Sequence, residues 1–262
     1  MFLRQSNGIV LLFLVLIVGG AIGAGIVLGR RLRERPEPPR EPVGVVQGAL
    51  LGLVGLLLAF GLSMAVSRYE ARRTLVVAEA NAIGTTYLRA QLLAEPARSE
   101  SLELLRQYTD AAIDMARAVP DSPEYRTARA EVEGLHDDLW ALAGDAVRDD
   151  PTGTAPRLYV ETLNETIDAH GLRVASLGNR VPTSVQLLQI VSSAVALAVL
   201  AMYLAMFGRN LVSPLLAGAF VVLILFVSFD LDRPRRGFIT VPDRALVDVR
   251  ASMDAPPAAI GP

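Results

Sequence analysis

Four stretches of this chain are long, apolar and free of charge, and they restrict its fold more than any other feature. Residues 8–29, 44–67, 183–208 and 211–229 contain no Asp, Glu, His or Arg. A hydrocarbon core of about 30 Å, crossed at about 1.5 Å per residue, takes roughly 20 residues of helix. Lipid offers no partner to a backbone N–H or C=O, so each run must pair these groups internally and is read as a helix. The 52% share of hydrophobic residues is what four such runs produce. The expectation is an all-α membrane protein: four transmembrane helices, with a helical-bundle domain inserted between the second and third.

The segments divide as 1–67 for the first two spans and their loop, 68–180 for the inserted domain, 181–230 for a transmembrane hairpin, and 231–262 for a polar tail. The first run is too long for the roughly 7–15 residues of a signal-peptide core, so it is read as a retained span. Residues 30–42, with five arginines and four prolines, suit an exposed turn between antiparallel spans. Gly208, Arg209 and Asn210 leave room only for a tight hairpin between the third and fourth spans, with Pro214 tolerated in the first turn of the second arm.

Between Arg68 and Arg180 the pattern becomes charged and amphipathic. Nothing breaks the helix between Ser67 and Leu93, so the second span is expected to run on out of the membrane until Pro96. A helix over about 98–119 follows, with Leu102, Leu105, Thr109, Ala112, Met115 and Ala116 at helical spacing. Ser122 reads as an N-cap with Pro123 at the first helical position, opening a helix that carries Tyr125, Val132, Leu135, Leu139 and Leu142. After the loop 149–153, Thr154 and Pro156 open a fourth, with Tyr159, Leu163, Ile167, His170, Val174 and Leu177 on one face. These four stripes would bury one another as a bundle. In the tail, residues 238–241 offer a short strand, and the last ten residues, rich in Ala and Pro, read as disordered.

Charge gives two answers about orientation. The short loop with five arginines argues that it is cytoplasmic and the large domain outside, by the positive-inside rule. Arg68, Arg72, Arg73, Arg173, Arg180, Arg233, Arg235 and Arg236, near span ends on the other side, argue the reverse. Every basic residue is Arg and none is Lys, a bias that suits a GC-rich bacterial genome and hence a bacterial cytoplasmic membrane.

Small residues recur along the second span at Gly44, Gly48, Gly52, Gly55, Ala59, Ser63 and Ser67, in steps of three or four that place them on one face. Such faces permit close helix packing, and in an oligomer the same narrow, weakly polar surface would line an ion path. The first span repeats the device at Gly19, Gly23, Gly25 and Gly29. Arg68, Arg72 and Arg73 form a basic collar where the second helix leaves lipid, with Glu70 as nearest opposite charge. The collar serves as an interface anchor or, repeated around a pore rim, as an attractor of anions. No ionisable group lies at depth, which disfavours a proton pump or an ion-coupled transporter. Beyond the collar, Glu79, Asn81, Thr85 and Thr86 are read as interhelical hydrogen-bonding groups.

Absence of cysteine removes disulfides, thiol catalysis and thiolate metal sites. His136 and His170 have no metal-ligand spacing and are assigned to packing or the surface. No nucleophile elbow, phosphate loop or HExxH occurs, so neither an enzyme nor a cofactor nor a metal is expected. A net charge of −2 gives no reason to expect nucleic acid.

Three stretches together, GALLGLVGLLLAFGLSMAVSRYEARR over 48–73, VVAEANAIGTTYLRAQLL over 76–93 and DLDRPRRGF over 230–238, resemble a group of bacterial membrane proteins described as bestrophin-like. The resemblance covers most of the chain from the second span onward. It implies an oligomeric anion channel with four spans per subunit and a cytoplasmic helical domain between the second and third. Phe60 is the only aromatic residue of the second span, a departure from the aromatic constriction expected of a bestrophin pore. The functional expectation is therefore a homo-oligomeric channel for small anions, with Gly48, Gly52, Gly55, Ala59, Ser63 and Ser67 along the path and Arg68, Arg72 and Arg73 at its rim. The alternative is a membrane sensor or scaffold whose four-helix domain binds a ligand or partner.

Overall fold

The computed structural model describes residues 6–34, 40–208, 212–233, 235 and 237–255. Arg4, residues 35–39 of the first loop, the Arg209–Asn210 connection, Arg236 and the tail from residue 256 lie outside the described residues. The described residues form helices and their connections only: α1 (Asn7–Arg33), α2 (Arg40–Ala90), α3 (Ala97–Arg117), α4 (Pro123–Asp149), α5 (Thr154–Ser176), α6 (Thr183–Met206), α7 (Val212–Leu231) and α8 (Arg244–Ser252). Four of these, α1, α2, α6 and α7, are long and apolar enough to cross a membrane.

Local chemistry sets the helix ends. Ser6 caps α1 by accepting from the Ile9 N–H, and Ser122 caps α4 by accepting from the Tyr125 N–H, with Pro123 at the first helical position. α2 is a single helix of 51 residues. Its last turn gives way at residues 91–93, ahead of Pro96.

The chain divides into two compact units. The first, Met1–Arg68 with Arg180–Ile239, holds the apolar helices. Its core takes Val10, Leu14, Val18 and Ile22 from α1, Val54 and Leu58 from α2, Ile190, Leu197 and Ala201 from α6, and Val222, Leu225 and Phe229 from α7. Gly25 and Gly29 of α1 lie so close to α6 that a Cβ on either would overlap the carbonyl oxygens of Ala198 and Met202. Here the small-residue pattern serves backbone approach.

The second unit, Tyr69–Asn179 with Thr240–Pro262, packs the end of α2 with α3, α4, α5 and α8. Ile83, Leu105, Tyr108, Met115, Val132, Leu139, Tyr159 and Leu163 are at its centre. Two expectations for the tail are corrected. Residues 238–241 form bends and coil where a strand was expected. The polar tail also contains α8, and Val241, Leu246 and Met253 are buried in the domain core. The Met253 carbonyl accepts from Tyr87 Oη at 3.0 Å and from Arg106 Nη2 at 3.1 Å, which fastens the segment to α2 and α3.

Candidate functional site

The small residues of α2 point away from the rest of their unit. Gly48, Gly52, Gly55, Ala59, Ser63 and Ser67 are all exposed. A Cβ added at Gly48, Gly52 or Gly55 would meet nothing within 4 Å. The buried side of the same helix carries Val54, Leu58, Gly61 and Ala65. Leu53, Leu56 and Phe60, each more than half exposed, flank the stripe. Unlike Gly25 and Gly29, the stripe from Gly48 to Ser67 on α2 has no packing partner among the described residues. Gly44 is the exception, lying 3.0 Å from the Tyr203 ring by its notional Cβ.

The three arginines that follow have separate fates. Arg68 is partly buried at the end of the first unit. Arg73 is exposed and pairs with Glu70 at 3.6 Å, also exposed. Arg72 departs from a solvent-facing rim: it is 3% exposed, and its Nη2 donates to the Asn179 carbonyl at 3.0 Å. Helical geometry explains the difference, because Arg72 and Arg73 are about 100° apart around the axis.

Where α7 ends and α6 begins, two buried carboxylates organise backbone. Asp230 accepts from the Phe238 and Ile239 N–H groups at 3.0 and 2.8 Å, turning the chain after α7. Asp232 accepts from the Val181 N–H at 3.0 Å and from Gln186 Nε2 at 3.2 Å, fixing the entry to α6. Arg233 donates to Asn7 Oδ1 at 2.7 Å and so ties α1 to the same region.

The second unit contains a polar cluster around Glu79, whose interhelical hydrogen bonding was expected but whose partners were not. Glu79, fully buried on α2, pairs with Arg173 of α5 and accepts from His170 Nδ1 at 2.8 Å and Tyr108 Oη at 3.1 Å. His136 of α4 completes the set, its ring centroid 4.9 Å from that of Tyr108 and 5.1 Å from that of His170. Burial alone would push the Glu79 carboxyl up, but the His170 hydrogen bond and the Arg173 charge outweigh it and hold it below the usual carboxylate range. An ionised carboxylate only accepts, so His170 Nδ1 carries the proton in that bond. Burial, then Glu79, push the Tyr108 hydroxyl well above its ordinary value, which keeps it a neutral donor. Burial and the neighbouring His170 push His136 down to about 4. Nearby, Thr86 bridges to the Thr162 carbonyl and Thr166 Oγ1, both at 2.8 Å, the interhelical role expected of it. Among the described residues, no three His, Asp or Glu side chains converge to hold a metal ion. One glutamate and two histidines, separated by 57 and 34 positions in sequence, give no local signal of such a cluster.

Four membrane-length helices with an inserted helical bundle define a multi-pass α-helical membrane protein. The Bestrophin-like domain model matches residues 11–246, so the chain belongs to the Bestrophin-like family. Its structure is similar to crystal structures of a bacterial bestrophin homologue from Klebsiella pneumoniae. One is 14% identical, with 94% of this chain and 97% of that chain covered and a TM-score of 0.66. Another, solved by Zn-SAD phasing, is 15% identical, with 93% and 98% covered and a TM-score of 0.62. At that identity the likeness is one of fold. No curated protein matches the chain significantly.

Proposed function

We propose that this protein is a homo-oligomeric channel for small anions, with α2 of each subunit along the conducting path. The observation that carries this reading is the unpartnered stripe Gly48, Gly52, Gly55, Ala59, Ser63 and Ser67, exposed along the apolar run of α2, where α1 offers only the shorter bare patch Gly19, Gly20 and Gly23. Lipid provides no drive to leave a glycine-rich face bare, whereas copies meeting around an axis would cover its edges and leave a narrow, weakly polar lumen. Ser63 and Ser67 would supply hydroxyl donors to a passing anion. Of the basic collar, Arg68 and Arg73 are the charges suited to a rim, and Arg72 serves as a brace to residue 179. Family membership supports the same reading, as does the absence of charged groups from the middle of the apolar runs.

Reconstitution tests it. Purified protein in liposomes is expected to pass chloride but not large organic anions, and to run as a discrete oligomer in detergent. Ala59→Trp is expected to abolish the flux while leaving the oligomer intact. A monomer that passes no anion under any condition would refute the reading.

A further inference from the structure

Directly behind the stripe, one polar side chain grips the backbone of α2. Gln189 of α6 is 2% exposed, and its Nε2 donates to the Leu57 carbonyl at 3.0 Å. In an α-helix that carbonyl already receives the N–H of Gly61, four residues on. Gly61 is itself the contact that admits the glutamine: a Cβ there would overlap the Gln189 amide. At about 100° per residue, Leu57 and Gly61 fall roughly 160–200° around the helix from Ala59, so the grip sits opposite the stripe at the same height. An amide at membrane depth finds no partner in lipid, which gives this bond a preference for one rotational setting of α2. Turning α2 by about 100° would bring the bulky Leu53, Leu56 and Phe60 to where the small residues stand, and would carry the Leu57 carbonyl away from Gln189.

We propose that Gln189 is a positioning residue that fixes the rotation of α2 about its own axis, and thereby selects the small-residue face as the one presented along the path. This rests on the channel reading for its consequence in conduction, but the rotational setting is measurable without it. The chain has no cysteine, so single cysteines at positions 53–63 can be spin-labelled without altering any other residue. In vesicles of the full-length protein, label accessibility to oxygen and to a water-soluble nickel chelate gives the helical phase of α2.

Two variants attack the contact from opposite sides. Gln189→Met keeps the length of the side chain and removes the donor; Gly61→Ala adds the methyl that displaces the amide. Both are expected to flatten the accessibility pattern or shift its phase by roughly one residue, about 100°, and to reduce chloride flux in the same vesicles. An unchanged phase in both variants, even with lowered thermal stability, would show an ordinary structural hydrogen bond and overturn the proposal. A shifted phase in a protein whose wild type passes no chloride would refute the channel reading and leave the positioning role of Gln189 standing.

Discussion

Glu79 of α2 and Arg173 of α5 form an ion pair with side-chain exposures of 0% and 5%, reached by residues 94 positions apart. Two charges withdrawn from water must satisfy each other, and here Tyr108 and His170 take part of the remaining hydrogen-bonding capacity. The pair therefore holds the α2 end of the bundle against α5 in one register.

Breaking it from one side is expected to be costly. Glu79→Leu leaves the Arg173 guanidinium buried without its counter-charge, a loss of about 3–5 kcal/mol. The double variant Glu79→Leu, Arg173→Met removes both charges and is expected to recover most of that loss. Thermal unfolding in detergent, followed by circular dichroism and analysed as a double-mutant cycle, measures the difference. Additive effects of the two single changes would show that the pair is not coupled.

Acid is expected to weaken the same bundle in two stages. His136 in the folded domain titrates at about 4, below the 6.5 of a free histidine, so the unfolded chain takes up its proton first. The stabilisation from keeping His136 neutral is complete above pH 6.5 and erodes as pH falls towards 4. The Glu79 carboxyl, held below 4.5, adds a further loss at lower pH as it becomes protonated. The groups facing His136 are Tyr108, Glu79, His170, Glu133 and Asp137, and its buried Nε2 has no hydrogen-bond partner. His136→Phe is expected to remove the first stage and leave the second, read as the melting temperature against pH. A wild-type melting temperature that stays flat from pH 7 to 4.5 would refute the assignment.

The spans and the helices of the inserted bundle were legible because their signals are local. Uncharged length marks a span, and Ser122 with Pro123 or the break before Pro96 marks a helix end. The cluster around Glu79 was not legible, since four helices contribute one or two groups each and no spacing links residues 79, 108, 136, 170 and 173. Only the presence of Glu79 and His170 on otherwise apolar helical faces hinted at a buried polar contact. α8 was missed because it is only nine residues long and buries a single side chain, Leu246, while the other anchors, Val241 and Met253, lie outside the helix. The small-residue stripes on α1 and α2 look alike in sequence, yet one is half consumed by packing and the other is bare, a distinction that depends on which neighbour arrives.

That distinction makes opposite forecasts for one substitution. Gly25→Leu places a side chain where the Ala198 backbone stands, so α1 and α6 must separate; the purified protein is expected to lose thermal stability or fail to accumulate. Gly48→Leu projects into open space, so the fold of the single chain is expected to survive. Its effect should fall on oligomer assembly and chloride flux instead. Equal loss of stability in both variants would contradict the placement of the α2 stripe.

The C-terminal segment is expected to behave as part of the inserted domain although two apolar helices, α6 and α7, come between them in sequence. Leu246 is fully buried, and Leu246→Ala is expected to cost about 2–5 kcal/mol and to expose α3 to limited proteolysis. Arg117 with Asp243 and Arg250 with Asp110 at 2.9 Å add exposed ion pairs across the same contact, worth little individually. Because α8 packs against α3, a reporter fused after Pro262 and one inserted at Gly153, between α4 and α5, must be on the same side of the membrane. Two crossings in between are consistent with that requirement, whichever side it proves to be. Reporters found on opposite faces would mean that α8 does not occupy its place on the domain.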